Sequence, residues 1–315
     1  MGPMSHGLQH VRLTFGVYFF KLVPVTPSQI PFFALMSTAV PLRFSNNTSA
    51  APSATREASH LESGRAAVSV VIPTLNESAQ IAEAVAELSW ADEVIVVDGG
   101  SSDDTAAIAG AAGARVIVVC NETIAAQRNA GIAAARNVWV LALDADERVS
   151  PQLRAELGQV VAGRNPTHSA YRMKFRNHYL GRELRHGPWG RDWHVRLFTR
   201  ERRYVTNRVH EHLEAIDDVG ALTGPIMHRP YRDLAHHVTK IVKYARWGAE
   251  DLHARGRKAG VWELTARPAW RFLRDYFVFS GWRDGAVGFV AAALSAFAAF
   301  LKYAFLFARS RSADA

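Results

Sequence analysis

Between residues 68 and 150 the sequence alternates four short apolar runs with segments of helical periodicity. The runs cover residues 68–73, 93–98, 115–120 and 138–143 and are rich in Val, Ile and Leu. Such runs are typical of strands that are buried on both faces of a parallel sheet. The alternation therefore predicts an α/β fold with a mostly parallel sheet and right-handed crossovers.

Two aspartates follow the fourth apolar run directly. Asp144 and Asp146 stand where the strand leaves the sheet, and Ser150 and Pro151 then suit the N-cap and first position of a helix. Open α/β sheets bind ligands at the carboxyl ends of their strands. Carboxylates at this place suit a hard divalent cation that also binds phosphate oxygens. The alternative for an isolated Asp-x-Asp is a solvated acidic turn.

Polar segments also follow the first two predicted strands, and another lies on the third predicted helix. Because strand ends converge on one crevice, we expect residues that are distant in sequence to share a ligand there. Taken singly, Asn76 and Ser101 could be helix N-caps, Asp98 a turn residue and Arg128 a solvated helix residue. The segments in question are residues 73–77, 98–103 and 127–129.

The composition is that of a globular protein with one cysteine. Hydrophobic residues make up 49% of the 315 residues and charged residues 21%, so a substantial core is available. Cys120 cannot form a disulfide framework or a cysteine-based zinc site, and we expect it to be a small buried residue at a strand end. The net charge of +8 favours partners that carry phosphate, such as nucleotides, nucleic acids or anionic membranes.

The regions that flank this alternation have different patterns. Residues 1–65 combine short apolar runs, prolines and a linker rich in Ser, Ala and Thr, and we expect them to be a poorly ordered extension. Residues 169–175 and 193–199 alternate with period two, which predicts strands with one polar face. Helical patterns then cover residues 233–255 and 285–308.

The C-terminal tail combines an apolar helix with a basic and aromatic segment. Residues 286–301 are without charge before Lys302, which is short for a membrane span. Basic and aromatic side chains precede this stretch, a combination that favours a membrane interface. The alternative is a helix packed on the catalytic domain or in a dimer contact. The side chains in question are Arg267, Trp270, Arg271, Phe272, Arg274 and Tyr276.

Several segments resemble conserved blocks of a known enzyme family. The sequences SVVIPTLNE, VVDGGSSDDT and LDADE, at residues 69–77, 96–105 and 143–147, resemble those of family 2 glycosyltransferases, which have the GT-A fold. The chain further resembles the lipopolysaccharide core β-glucosyltransferase subgroup over residues 68–307. The segments shared with that subgroup are residues 89–98, 126–129, 143–150, 196–198, 209–211 and 281–285.

This resemblance implies a UDP-sugar donor and assigns residues to it. Pro73, Thr74 and Glu77 would line the nucleoside pocket, and Asp98 would contact the uracil or its surroundings. Arg128 would approach the nucleotide, Asp144 would hold the ribose side, and Asp146 with Asp144 would bind Mg²⁺ or Mn²⁺. The metal would offset the charge on the departing nucleoside diphosphate. The implied nucleotide-sugar residues are Pro73, Thr74, Glu77, Asp98, Arg128 and Asp144.

An inverting transfer also needs a base for the acceptor hydroxyl. Glu211 is favoured because it lies in a motif of the resembling subgroup, with Asp192 as the second choice and Glu214 as a further candidate. The alternative for Glu211 is a polar pair with His210 at a strand end. The remaining histidines are expected to contact an acceptor phosphate or lie on the surface rather than bind metal; they are His178, His186 and His194.

The resemblance therefore predicts an inverting, metal-dependent hexosyltransferase for cell-envelope glycans. Its acceptor would be a lipid-linked or lipopolysaccharide-core saccharide, and the enzyme would be peripheral on the cytoplasmic face of the inner membrane. The catalytic GT-A domain is expected at residues 66–230 and a membrane-associated helical region at 231–315. Alternatives are transfer to polyprenyl phosphate and a non-catalytic nucleotide-binding protein. No nucleic-acid-binding motif is visible, so no nucleic-acid partner is expected.

Overall fold

The computed structural model describes residues 66–120, 123–163, 167–205 and 212–313, with only the backbone at 312 and 313. These residues form strands and helices that belong to one compact unit. The predicted N-terminal extension, residues 1–65, lies outside the described residues.

Four parallel strands form the first half of the sheet, as the alternation predicted. They are β1 (Ala66–Thr74), β2 (Ala91–Asp98), β3 (Arg115–Val118) and β4 (Trp139–Ala142). β1 lies between β2 and β4, and β3 pairs with the outer side of β2. Apolar clusters cover both faces of β1, which explains why its sequence is apolar without alternation.

The second half of the sheet mixes parallel and antiparallel pairs. β8 runs antiparallel to both β4 and β6, and β12 runs parallel to β6. The ends of β6 and β12 and the start of β8 therefore meet the edge where β1, β2 and β4 end. The strands are β5 (Glu147–Val149), β6 (Ala170–Tyr179), β7 (Arg182–Leu184), β8 (Trp193–Thr199), β9 (Tyr204–Val205), β10 (His212–Leu213), β11 (Val219–Ala221) and β12 (Ile226–His228), with a 3₁₀ turn at Trp189–Arg191.

Helices on both faces connect the first strands. They are α1 (Ile81–Ala86), α2 (Thr105–Ala111), α3 (Ile124–Ala134) and α4 (Pro151–Ala162). The predicted cap of α4 is confirmed, because the Ser150 side chain accepts a hydrogen bond from the N–H of Leu153 at 3.2 Å. Gly131 lets α3 approach the sheet closely, since a Cβ there would lie 2.3 Å from Cγ1 of Val71.

Two local predictions are wrong. The helical periodicity after β1 predicts a helix over residues 76–91. That helix begins only at Ile81, because Asn76 has a left-handed backbone and its N–H donates to Ser101 Oγ at 2.9 Å. The third strand ends at Val118, and Cys120 is exposed rather than buried. In both places, loop contacts at the edge of the sheet outweigh the local apolar pattern.

Three helices follow the sheet: α5 (Leu234–Ala254), α6 (Val261–Leu273) and α7 (Gly285–Ala313). A π-helical turn at Arg274–Val278 and a 3₁₀ turn at Gly281–Asp284 join α6 to α7. α7 is fixed to the sheet through Asp284, whose carboxylate accepts hydrogen bonds from the backbone N–H and Nδ1 of His186, both at 2.8 Å.

Within the described residues, the Gly281–Arg311 segment is the one helix whose length and apolar composition would allow it to cross a membrane. Only 17% of its most apolar window is buried against the rest of the chain. The predicted apolar helix at residues 285–308 is confirmed as a helix, and α7 extends it to Ala313.

Candidate functional site

The loops that follow β1 and β2 are joined at the carboxyl edge of the sheet. Asn76 accepts a hydrogen bond from the N–H of Ser102 at 2.8 Å, and its own N–H donates to Ser101. The Glu77 N–H donates to Thr105 Oγ1 at 2.8 Å. The two loops therefore form one rigid wall of the crevice.

Asp98 is buried at the start of the second of these loops. Oδ2 accepts hydrogen bonds from the N–H groups of Gly100 and Ser101, at 3.1 and 2.9 Å, and Oδ1 accepts one from Ser101 Oγ at 2.5 Å. Thr74 Oγ1 lies 3.5 Å from the same Oδ1. Asp98 therefore shapes the turn, and its predicted contact with uracil stays a prediction.

Pro73, Thr74 and Glu77 stand beside this turn, as the predicted nucleoside pocket requires. Pro73 and Thr74 are buried at the end of β1, whereas Glu77 is partly exposed. The Glu77 carboxylate accepts a hydrogen bond from Gln80 Nε2 at 2.7 Å and lines a cavity. The structure thus places these residues together without testing whether they bind a nucleoside.

Asp144 is held between two buried arginines. Arg128, from α3, lies 2.5 Å from Oδ1, and Arg196, from β8, lies 3.3 Å from Oδ2. Burial alone would raise the pKa of Asp144, but the two guanidinium groups outweigh it and hold that pKa well below its usual range. Asp144 is therefore a fixed negative charge at the end of β4.

Arg196 links this charge to a second buried carboxylate. Its Nη2 also forms an ion pair with Glu147, whose Oε2 accepts the backbone N–H of Asp144 at 3.0 Å. Burial lowers the pKa of Arg196, but Glu147 and Asp144 outweigh that effect, so the pKa is raised and the guanidinium stays charged. The guanidinium also lies over the ring of Phe175, at 5.2 Å. The turn from β4 to β5 is consequently fixed on both sides.

Asp146 has a different environment from Asp144. Burial raises its pKa, and repulsion from Asp144 adds to this, so that the pKa reaches about 7. No arginine or lysine forms an ion pair with it among the described residues; its near neighbour is His228, with Nε2 at 3.7 Å from Oδ1. A buried carboxylate in this state suits a divalent cation, which would supply the missing positive charge.

The hydrogen bonds of Asn177 determine which nitrogen of His228 carries the proton. Asn177 Nδ2 donates to the carbonyl of Trp189 at 2.9 Å and to Asp192 Oδ2 at 3.2 Å. Its Oδ1 therefore faces Nδ1 of His228 at 2.7 Å and accepts a proton from it. Burial lowers the pKa of His228 to about 4. The neutral ring thus presents the lone pair of Nε2 toward Asp146.

These residues fit a metal ion. Asp146, Glu147 and His228 each offer one ligand atom, and the three atoms lie within 4.8 Å of one another. Glu147 already accepts hydrogen bonds from Arg196 and the Asp144 backbone, whereas Asp146 and Nε2 of His228 are available. A carboxylate and an imidazole whose other nitrogen donates to an amide oxygen are a common ligand set for a divalent cation.

Asp192, one of the two predicted bases, lies next to this cluster. Oδ1 is 2.7 Å from Nε2 of His194, and Oδ2 accepts the Asn177 amide described above. Burial would raise the pKa of Asp192, but the hydrogen bonds from His194 and Asn177 lower it below its usual value. Asp192 is therefore ionised at neutral pH, and the side chain of Asn177 connects it to His228 through hydrogen bonds.

The other base candidates are placed less favourably or lie outside the described residues. Glu211 and its neighbour His210 fall among residues 206–211, which the structure does not describe, so Glu211 stays a prediction. Glu214 is described and exposed. His178 is hydrogen-bonded to the carbonyl of Arg176 and His186 to Asp284, and the expectation that neither binds metal stays a prediction.

A cavity of about 240 Å³ opens beside Asp146. One wall is the loop after β1, and the other is the segment after β12 together with the first half of α5. The second wall is rich in cationic side chains. The lining residues are Leu75, Asn76, Glu77, Gln80, Asp146, Arg229, Pro230, Arg232, His236, Thr239, Lys240 and Lys243.

The sequence analysis missed His228 and its support. β12 has only three residues, and Asn177 is brought to His228 by the parallel pairing of β12 with β6. A histidine that ends the short apolar run Ile226–Met227 has the same strand-end position as Asp144, and this is the signal that could have found it. The pairing partner itself cannot be read from a local pattern.

Comparisons with known proteins indicate the family of the chain. The model of the family "Glycosyl transferase family 2" matches residues 69–210. An uncharacterized glycosyltransferase of Rickettsia typhi is 31% identical over 249 residues, which cover 75% of this chain and 85% of the relative. The lipopolysaccharide core biosynthesis glycosyltransferase LpsC of Rhizobium meliloti is 29% identical over 250 residues, covering 77% and 92%. These matches confirm the resemblance inferred from the motifs.

Solved structures give a weaker likeness. Glucosyl-3-phosphoglycerate synthase of Mycobacterium tuberculosis, solved with Mn²⁺, UDP and phosphoglyceric acid, is 29% identical over the aligned part. The alignment covers 38% of this chain and 46% of that chain, with a TM-score of 0.32. This value is too low for any comparison of binding sites.

The pKa of Asp146 predicts how metal binding depends on pH. Below pH 7 the carboxyl must lose a proton before it binds a cation, so without nucleotide the affinity for Mn²⁺ should fall about tenfold per pH unit. Above pH 7 the affinity should level off. His228, with a pKa of about 4, stays neutral and adds no pH dependence near neutrality. Isothermal titration calorimetry across this range measures the effect.

Asp146→Asn should remove both the pH dependence and most of the affinity. The exposed Asp104 is the matched control, and Asp104→Asn should bind Mn²⁺ as the wild type does. Equal affinities of the wild type well below and well above pH 7 would contradict the assignment of Asp146 as the titrating ligand.

Proposed function

The chain belongs to glycosyltransferase family 2, and from that membership we propose that it transfers a hexose from a UDP-sugar to a saccharide of the lipopolysaccharide core or another lipid-linked glycan. The observation that carries the proposal is the pairing of Asp146 with His228 at the carboxyl edge of a GT-A-like sheet. The similarity to the lipopolysaccharide core biosynthesis glycosyltransferase LpsC supports the choice of acceptor class.

The donor is proposed to lie across the ends of β1, β2 and β4. Pro73, Thr74 and Glu77 would face the nucleoside, and Asp98 would hold the turn that contacts the base. Asp144, fixed by Arg128 and Arg196, would accept hydrogen bonds from the ribose. These roles follow the resemblance, and their common position at one edge of the sheet supports them.

Asp146 and His228 are proposed to hold Mg²⁺ or Mn²⁺ at the diphosphate. When bound, the cation would offset the negative charge that develops on the leaving nucleoside diphosphate. Participation of Asp144 as a further ligand stays a prediction. The protein itself would supply a preformed pair of ligands. Asn177 fixes the ring of His228 by a hydrogen bond, and burial together with the charge of Asp144 raises the pKa of Asp146, so a bound cation would stabilise its ionised form.

Asp192 is proposed to accept the proton of the acceptor hydroxyl, with Glu211 as the alternative. The low pKa of Asp192 keeps it ionised, and Asn177 and His194 fix the direction of its two oxygens. In an inverting transfer, this carboxylate would take the proton as the hydroxyl oxygen bonds to the anomeric carbon and the nucleoside diphosphate leaves.

Transfer from a panel of UDP-hexoses to isolated lipopolysaccharide core tests the proposal. Asp192→Asn keeps the shape but cannot accept a proton, so it should reduce turnover about a hundredfold or more while donor binding is retained. The loss of donor hydrolysis and transfer on removal of divalent cations should accompany this.

Glu211→Gln is the matched comparison in the same assay. If it abolishes transfer and Asp192→Asn does not, the base is Glu211. A wild-type protein that binds UDP with metal but neither hydrolyses nor transfers any UDP-hexose would favour a non-catalytic nucleotide-binding protein instead.

The C-terminal helices are proposed to hold the enzyme on the cytoplasmic face of the inner membrane. Large apolar side chains are exposed along α6 and the turns after it, including Trp262 at 69%, Trp270 at 59% and Phe277 at 56%. Aromatic residues in this number suit the headgroup region of a bilayer. They lie close in sequence to the exposed apolar face of α7, which carries Phe289 and Phe297.

Three arginines of this region form ion pairs with carboxylates, which the sequence did not predict. Arg271 and Arg274 both form ion pairs with the buried Asp275, at 2.8 and 2.7 Å, and Arg267 lies 3.7 Å from Glu263. Their attraction to anionic headgroups is therefore weaker than that of three free cations. Apolar burial should dominate the membrane affinity.

A triple variant should bind anionic liposomes at least about tenfold more weakly; it combines Trp262→Ala, Trp270→Ala and Phe277→Ala. Each substitution removes an exposed ring whose apolar surface would enter the bilayer. Co-sedimentation at low and high salt measures the effect, and high salt alone should release the wild type only partly. The control combines Val118→Ala, Ile124→Ala and Val138→Ala, which are exposed on the catalytic domain. Wild-type protein that stays free of liposomes and elutes as a tight dimer would identify the tail as an oligomer contact.

A further inference from the structure

The cationic wall of the cavity beside Asp146 has more positive charge than the donor requires. Four cations line the cavity, Arg229, Arg232, Lys240 and Lys243, against the two carboxylates of Glu77 and Asp146. A divalent cation at Asp146 would add two further positive charges. The diphosphate of a nucleotide-sugar carries two negative charges and leaves the cavity with an excess of positive charge.

These four cations are not neutralised elsewhere within the described parts of the chain. None of them forms an ion pair with a described carboxylate, whereas Arg128, Arg196, Arg271 and Arg274 all do. Lys240 Nζ instead donates to the carbonyl of Pro230 at 3.2 Å, and Lys243 lies over the ring of Trp247 at 4.7 Å. Cations gathered in one cavity in excess over its carboxylates repel one another and are stabilised by an anion.

The four side chains differ in how close they lie to the metal ligands. Arg229 follows His228 directly, and its N–H donates to the carbonyl of Asp146 at 3.1 Å. The charge of Lys240 lowers the pKa values of both Asp146 and His228, so this lysine also lies on the metal side. Arg232 precedes α5, and its backbone N–H donates to Nδ1 of His236 at 3.3 Å. Burial and the charges of Lys240 and Arg232 all lower the pKa of His236. Neither Arg232 nor Lys243 is a main cause of the pKa shifts of Asp146 and His228, so their charges act less strongly on the metal ligands than the charge of Lys240 does.

We infer that Arg232 and Lys243 form a second anion subsite and that the acceptor carries a phosphate group which binds there. This inference rests on the proposed function and specifies its acceptor class. Arg229 and Lys240 remain with the donor's diphosphate near the metal. The acceptor phosphate would orient its saccharide hydroxyl toward the sugar on the other side of the metal site.

Inorganic phosphate is the probe, titrated calorimetrically into full-length protein that is saturated with Mg²⁺ and UDP, at constant ionic strength. The wild type should bind phosphate under these conditions. The double variant Arg232→Gln with Lys243→Gln should bind it at least about tenfold more weakly, because two charge-assisted contacts are lost. Its affinity for UDP with Mg²⁺ should remain within about twofold of the wild type.

The control is Arg172→Gln with Lys174→Gln, which makes the same charge change at exposed positions on β6, away from the cavity. It should bind phosphate as the wild type does. Phosphate binding that disappears once UDP is present, or an equal loss of UDP affinity in the double variant, would assign the wall to the donor's diphosphate. Phosphate binding unchanged by the double variant would exclude an anion subsite here.

The proposed function can fail separately from this inference. If the wild type binds no UDP with Mg²⁺, the donor assignment is wrong. Phosphate titrated without UDP then tests the wall alone, and a loss confined to the variant with Arg232→Gln and Lys243→Gln would retain the anion subsite.

Discussion

Two arginines from different elements of the fold meet at Asp144. Arg128 comes from α3 and Arg196 from β8, and Arg196 also binds Glu147 across the turn to β5. Buried charges are costly, and removal of one partner from such a group costs about 3–5 kcal/mol. The cluster therefore holds α3, β8 and the β4–β5 turn in one arrangement, and the position of Asp146 depends on it.

The same cluster gives the two aspartates, Asp144 and Asp146, different pKa values. Asp144 receives the positive charge of both arginines and stays ionised, whereas Asp146 is left with its burial and with the repulsion of Asp144. A carboxylate with a pKa near neutrality and an adjacent neutral imidazole form a suitable ligand pair for a divalent cation. One fixed negative charge thus raises the pKa of the neighbour that we propose as a metal ligand, and this asymmetry cannot be seen in the symmetrical motif Asp-x-Asp.

The sequence predicted those parts of the structure that depend on local patterns. The four apolar runs became β1 to β4, residues 193–199 became β8, and Ser150 caps α4, because burial and capping act over a few residues. Near the proposed metal site, the sequence analysis named Asp144, Asp146 and Asp192. His228 and Asn177 were missed because the pairing of β12 with β6 brings them together from 51 residues apart. The neutralisation of Arg271 and Arg274 by Asp275 was missed for a different reason, since only the buried position of Asp275 decides it.

We propose that Asp146 and His228 hold one divalent cation together. Pulsed electron paramagnetic resonance of Mn²⁺ bound to the protein tests it most directly, because a histidine ligand gives a ¹⁴N coupling that carboxylates and water do not. The account predicts this coupling in the wild type and its loss in His228→Ala, with Mn²⁺ still bound more weakly. Bound Mn²⁺ without nitrogen coupling in the wild type, or coupling that persists in His228→Ala, would contradict it.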